Sequence, residues 1–151
     1  MLRAWEVLEQ TGKGIADWQD ATPPPQMPLS ACHAIALTPQ REWLYARCDQ
    51  RFEKMVKNDV LSEVEGVMRL EFPSDAPGLK AVGAPELMTH LRGEIPLDTA
   101  IQKAQMETRR YAKRQSTWIR NQMQDWLKLD PTDNVAIEDL IRNLTQSERT
   151  P

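Results

Sequence analysis

"TRRYAKRQSTWIR", residues 108–120, lies inside a stretch from Asp98 to Trp126 that contains neither glycine nor proline. Such a stretch predicts one long helix opened or capped near Asp98. At about 100° per residue, Arg109, Arg110, Lys113, Arg114, Thr117 and Arg120 fall within an arc of about 140°, and Tyr111, Ala112, Gln115, Trp118 and Ile119 lie opposite. One side is expected to pack and the other to form a rigid cationic ridge.

The five cations of this segment are interrupted by no acid. A solvated helix face is the plainer reading. Such a face usually mixes signs, however, because opposite charges four residues apart are worth ~0.2–0.5 kcal/mol and like charges repel by similar amounts. A negative group from outside the helix is therefore expected. RNA phosphate leads, since arginine grips it in a bidentate fork and planar side chains stack on unpaired bases; a pyrophosphate-bearing small molecule comes second. Tyr111 and Trp118, seven residues apart, read as core anchors ahead of base-stacking platforms.

The rest of the chain does not share this charge. Among 151 residues, 19 are basic and 22 acidic, for a net charge of −3, so any polyanion-binding surface must be local. The length fits one domain or a large piece of one. No apolar run approaches the ~20 residues of a membrane span, and the N-terminus carries alternating charges, unlike a signal peptide. Cys32 and Cys48 lack metal-ligand spacing and stand in apolar stretches, and they read as free thiols of a reducing compartment. His33 and His90 are isolated and read as structural or solvent-facing.

Periodicity predicts a short helix over residues 2–10, a further turn over 15–20, and a loop at "TPPPQMP", residues 22–28. "ACHAIALT", residues 31–38, reads as a strand buried on both faces. A helix follows to about Lys57, with Thr38 as cap and Pro39 in its first turn. Val60–Met68 forms another, "FPSDAPG" a loop, and a helical turn runs from Gly83 to Gly93. "WLKLD" before Pro131 reads as a second short strand and Val135–Leu144 as a terminal helix. The expected fold is mainly α with one or two short parallel strands.

"TRRYAKRQSTWIR" resembles the "TRxxAKRQxTWxR" signature of bacterial tRNA dimethylallyltransferases. "REWLYARCDQRFEKM" is similar to their "LYxRIDxRxxxM" helix, "LKAVGAPELMTHLRGEI" to "xxAIGYKExxxYLxGEI", and "MLRAWEVLEQTGKGIADW" to "QRxxRALEVxxxTGxxLSEL". Ala84 and Pro85 stand where that family has an aromatic and a basic residue. The likeness covers Met1 to about Leu129. Residues 1–151 thus look like the C-terminal portion of the catalytic domain, part of an α/β P-loop NTPase-like fold. The half that precedes it in the family, with a "GPTxxGKS" phosphate loop and a "DSxQ" stretch, is not in this sequence.

The resemblance implies transfer of a dimethylallyl group from its diphosphate to the exocyclic amine of the adenine 3′ of the tRNA anticodon, with magnesium. The acceptor aspartate and most of the pyrophosphate cradle belong to the other half, so this portion is expected to be inactive alone. Carried over position by position, Lys113, Arg114, Gln115, Thr117, Trp118 and Arg120 match a tRNA-contacting stretch, and Arg109 belongs to the same ridge. Gln115 either bonds RNA or braces the helix. Lys80, Ala81, Val82 and Gly83 match a second contact segment, with Gly83 letting backbone approach substrate, and Arg3 matches a third. Arg51 is either a pyrophosphate contact or paired with Asp49, Glu53 or another carboxylate. No catalytic residue and no metal ligand is expected in this portion. The partners implied are the tRNA anticodon stem-loop and dimethylallyl diphosphate, acting on a cytoplasmic monomer. The competing reading is a freestanding helical RNA-binding module without catalysis, and a helical protein-interaction domain is the third.

Overall fold

The computed structural model describes residues 2–73 and 75–147. Two compact units form, Met1–Ala34 and Ile35–Pro151. In the first, α1 (Leu2–Thr11) and α2 (Ile15–Asp20) meet at Gly12, whose φ of 69° closes the first helix. The Asp17 carboxylate accepts from the Gly14 amide at 3.0 Å, and Trp18 Nε1 donates to Thr11 Oγ1 at 3.2 Å. Neither helix buries a residue. The proline stretch has no regular structure, as its composition predicts.

The second unit is built around helices α3 (Arg41–Lys57), α4 (Val60–Met68), α5 (Ala84–Leu91) and α6 (Leu97–Gln122). Helix α6 is the spine, packed against both α3 and α5, and α4 packs on α5. Phe52, Val60, Val64, Leu87, Met88, Ala100 and Ala104 form the core. Ala100 and Ala104 are completely buried, so α6 brings its backbone close to its neighbours with no bulky side chain between. Thr108 continues this stripe, its hydroxyl satisfied by donating to Ala104 O at 2.8 Å.

Two short strands, β1 (Ile35–Leu37) and β2 (Leu127–Leu129), pair in parallel with Ala36 opposite Lys128. The mainly α architecture with a small parallel sheet is therefore as expected. The first strand is shorter than predicted: Ala31 ends a 3-10 turn, Leu29–Ala31, and residues 32–34 and 38 lie in neither helix nor strand. Nor is it buried on both faces: Ala36 is buried while Leu37 is 56% exposed. Side chains alternate along a strand, and within the described residues only the Ala36 side is covered.

Helix ends show where local reading fails. Helix α3 starts at Arg41 with Gln40 as its cap, two residues beyond the predicted Thr38. Helix α6 opens at Leu97 after Pro96, leaving Asp98 in the first turn, where a carboxylate favours the helix dipole. It stops at Gln122, short of Trp126, although no breaker is present. The chain leaves the helix at Met123 and runs into the pairing of β2 with β1, a contact between segments far apart in sequence. The last helix, α7 (Asn134–Ser147), extends beyond the predicted limits. None of the described helices is long and apolar enough to cross a membrane.

Candidate nucleic-acid interface

The cationic helix is turned differently from the sequence-based expectation. Its packed side centres on Thr108 and Ala112, both buried. Tyr111 and Trp118, expected as core anchors, are 47% and 57% exposed. Placing small residues on the contact lets α6 approach its neighbours closely, and the two large rings are left at the rim. Gln115 is exposed as well, so it does not brace the helix from within.

Rotation also moves Arg109 toward α3, where Nη1 donates to Asp49 Oδ1 at 2.6 Å. One turn earlier Gln105 Nε2 donates to the carbonyl of the same Asp49 at 3.3 Å, so α6 is pinned to α3 at one residue by two contacts. Arg110 pairs with Glu107, three residues back. The negative charge expected from outside the ridge is thus partly internal to the chain. Lys113, Arg114 and Arg120 have no carboxylate within ion-pair distance among the described residues. The Arg114 guanidinium lies 5.5 Å from the Tyr111 ring centroid.

These side chains border separate hollows around the last turns of α6. Lys113, Thr117 and Arg120 share a groove of about 220 Å³ with Arg41 and Tyr45 of α3. Arg114, Thr117 and Trp118 line an open groove of about 500 Å³ with Arg110 and Lys113. Gln115 and Arg120 border a mostly apolar hollow of about 400 Å³ with Leu37 and Ile119. Arg41 and Tyr45 were missed by sequence reasoning; Arg41 Nε donates to Tyr45 Oη at 3.0 Å, one turn apart, and that spacing was the available signal.

The other expected contacts fall elsewhere. Lys80 ends a 3-10 turn, Pro77–Lys80, and Lys80, Ala81 and Val82 are exposed. Gly83 is buried with φ of 96°, and a Cβ there would stand 2.6 Å from Phe52 Cε2. Its lack of side chain therefore serves packing against Phe52. Ala84 and Pro85, the departures from the family pattern, form the first turn of α5, where proline is well placed. Arg3, in the Met1–Ala34 unit, is exposed and paired with Glu6 at 3.2 Å.

Arg51 makes no ion pair with Asp49 or Glu53, since Asp49 is held by Arg109. Instead it lines a shallow groove of about 260 Å³ with Arg47, Gln50 and Lys54. Arg47 and Lys54, one turn to either side of Arg51, are cations that sequence reasoning passed over.

Cys48 is half-buried and Cys32 is exposed, contrary to the apolar setting expected for it; both are free. His90 Nδ1 lies 3.0 Å from the Ile95 carbonyl, a structural contact. Among the described residues no group of three His, Cys, Asp or Glu side chains could hold a metal ion. The side chains among the described residues do not fit a magnesium site.

Comparison with known proteins decides the family. The model of IPP transferase matches residues 1–122, most of the chain and all of α1 through α6. The chain belongs to the IPP transferase family. It is 48% identical over 127 residues to the tRNA dimethylallyltransferase of Cereibacter sphaeroides, covering 84% of this chain and 43% of that protein. The tRNA dimethylallyltransferase of Anaplasma marginale is 38% identical over 149 residues, 99% of this chain and 48% of the relative. Among solved structures, the tRNA delta(2)-isopentenylpyrophosphate transferase of Staphylococcus epidermidis superposes with a TM-score of 0.70 at 26% identity, over 99% of this chain and 48% of that one. The full-length tRNA isopentenylpyrophosphate transferase of Bacillus halodurans gives 0.66 at 30% identity, over 76% of this chain and 38% of that one. This IPP transferase chain thus spans less than half the length of these relatives.

Proposed function

We propose that this chain is the RNA-gripping portion of a tRNA dimethylallyltransferase. The single observation that carries the reading is the set of Lys113, Arg114 and Arg120, cations without a carboxylate partner among the described residues, on a helix whose other side is packed. Phosphate recognition needs such a surface, because held cations lose little freedom on binding. The names of the relatives support tRNA as the polyanion. Arg3 and Lys80–Val82 would contact RNA at other points, and the Arg47–Arg51–Lys54 groove suits a phosphate or pyrophosphate group.

The reaction proposed for the whole enzyme forms a bond from the exocyclic nitrogen of adenine to C1 of the dimethylallyl group. The bond from C1 to the diphosphate oxygen breaks, diphosphate departs with the electron pair, and the amine gives up a proton. An unpaired adenine must leave its stack to react. This chain's part is to hold the anticodon arm while that happens, in the cytoplasm where tRNA is modified.

The test adds the length by which the relatives exceed this chain. The segment of a relative that precedes the matched region is added to this chain, and transfer of a labelled dimethylallyl group to tRNA is measured. Transfer that needs both polypeptides supports the reading. Salt-sensitive tRNA binding without transfer would make the chain an RNA-binding module, and no tRNA binding at all would remove the proposal.

A further inference from the structure

Trp118 is a large apolar ring set in a cationic surface, exposed on a helix whose other side is packed. Tyr111, Arg114 and Trp118 follow one another at three- and four-residue spacing, which makes one continuous stripe along α6. Both rings are about half exposed, and the guanidinium between them lies 5.5 Å from the Tyr111 centroid. The indole divides two hollows. On one side are Arg110, Lys113 and Thr117, around about 500 Å³. On the other are Tyr111, Gln115, Ile119 and Met123, around about 580 Å³. Arg114 and Trp118 belong to both.

We propose that Trp118 is a stacking platform for an unpaired RNA base, with Arg114 bridging from the base side to the adjoining phosphate. The strand would cross α6 here, its phosphates over Lys113 and Arg114 and its base in the hollow floored by Ile119 and Met123. The inference rests on the reading of α6 as a tRNA contact and adds which side chain recognises a base. Charge selects this occupant. A polypeptide covering the aromatic stripe would have to bury Arg114 and lie against Lys113, neither of which has a carboxylate partner among the described residues. A nucleotide matches both halves of the site, because it carries a π-face and an anion at fixed separation.

The test compares two RNAs against the full chain over a salt titration: a hairpin with adenines in its single-stranded loop, and a fully paired duplex with the same number of phosphates. Trp118→Leu is expected to weaken hairpin binding roughly tenfold, with duplex binding and the salt slope unchanged, while Trp118→Phe keeps most of the affinity. Arg114→Gln is expected to weaken both RNAs and lower the slope by about one. Separately, hairpin should quench tryptophan emission of the parent, and in Trp118→Phe, which keeps the other four tryptophans, that quenching should fall, a readout that does not depend on the leucine variant. Equal hairpin affinity for parent and Trp118→Leu, equal losses on hairpin and duplex, or quenching of undiminished amplitude in Trp118→Phe would overturn the stacking role while leaving tRNA binding in place. Absence of salt-dependent binding to either RNA would remove both readings together.

Discussion

Arg109 Nη1 stands 2.6 Å from Asp49 Oδ1, and this pair separates two kinds of cation that look alike along α6. Both side chains are about one-third exposed, so the interaction joins α3 to α6 in a partly screened setting. Arg109 is a fastener, whereas Arg114 has no carboxylate partner among the described residues. Arg109→Gln is accordingly expected to cost about 1 kcal/mol and lower the melting temperature, with little change in the salt slope of RNA binding. Thermal melts and a salt titration on the same sample check it.

The cations without partners should behave in the opposite way. Each phosphate contact releases about one counterion, so Arg114→Gln and Arg120→Gln should each flatten the dependence of log affinity on log salt by about one. Melting temperatures should stay close to that of the parent. A double variant with the parent's affinity and slope would remove the α6 ridge from the RNA account.

Gly83 is held by sterics and backbone conformation together. Gly83→Ala places a methyl group 2.6 Å from Phe52 Cε2 at a φ of 96°, and is expected to destabilise by about 2 kcal/mol or more. Phe52→Leu relieves the contact and leaves the backbone strain, so the double variant should lose less than the sum of the single losses. Denaturant midpoints of the four proteins give the coupling. Strict additivity would show that the ring is not what the methyl group meets.

The core should respond to volume changes of either sign. Leu87 is 2% exposed and Ala104 fully buried. Leu87→Ala is expected to cost about 2–5 kcal/mol by leaving a cavity. Ala104→Leu is expected to cost about 1–3 kcal/mol by forcing α6 away from its neighbours. Urea unfolding measures both.

Asp130 sets a small pH dependence. The Thr132 backbone amide and hydroxyl donate to its carboxylate at 2.9 and 2.7 Å, which lowers its pKa below the ordinary value. A carboxyl group with a folded-state pKa below its unfolded value stabilises the fold above the unfolded value. That contribution fades as pH falls through the folded one. NMR titration of the Asp130 carboxyl should give a midpoint below the usual aspartate range, and Thr132→Ala, which removes the hydroxyl bond, should raise it.

Much of this protein was readable along the chain. Apolar spacing and the positions of Gly and Pro marked α3, α4 and α5, and the breaker-free run announced α6; even the three-residue β2 was visible in "WLKLD". Periodicity reports that a helix has a packed side, but the rotational phase of that side depends on neighbours contributed by distant segments. For that reason Trp118 was expected inside and stands outside, and Arg109 was expected on the ridge and is fastened to a residue 60 positions away. The same holds for Gly83, whose partner Phe52 lies on another helix. Helix, charge and composition are local properties of a chain. Which cations remain available to an anion is a property of packing, since only packing determines which carboxylates come within reach.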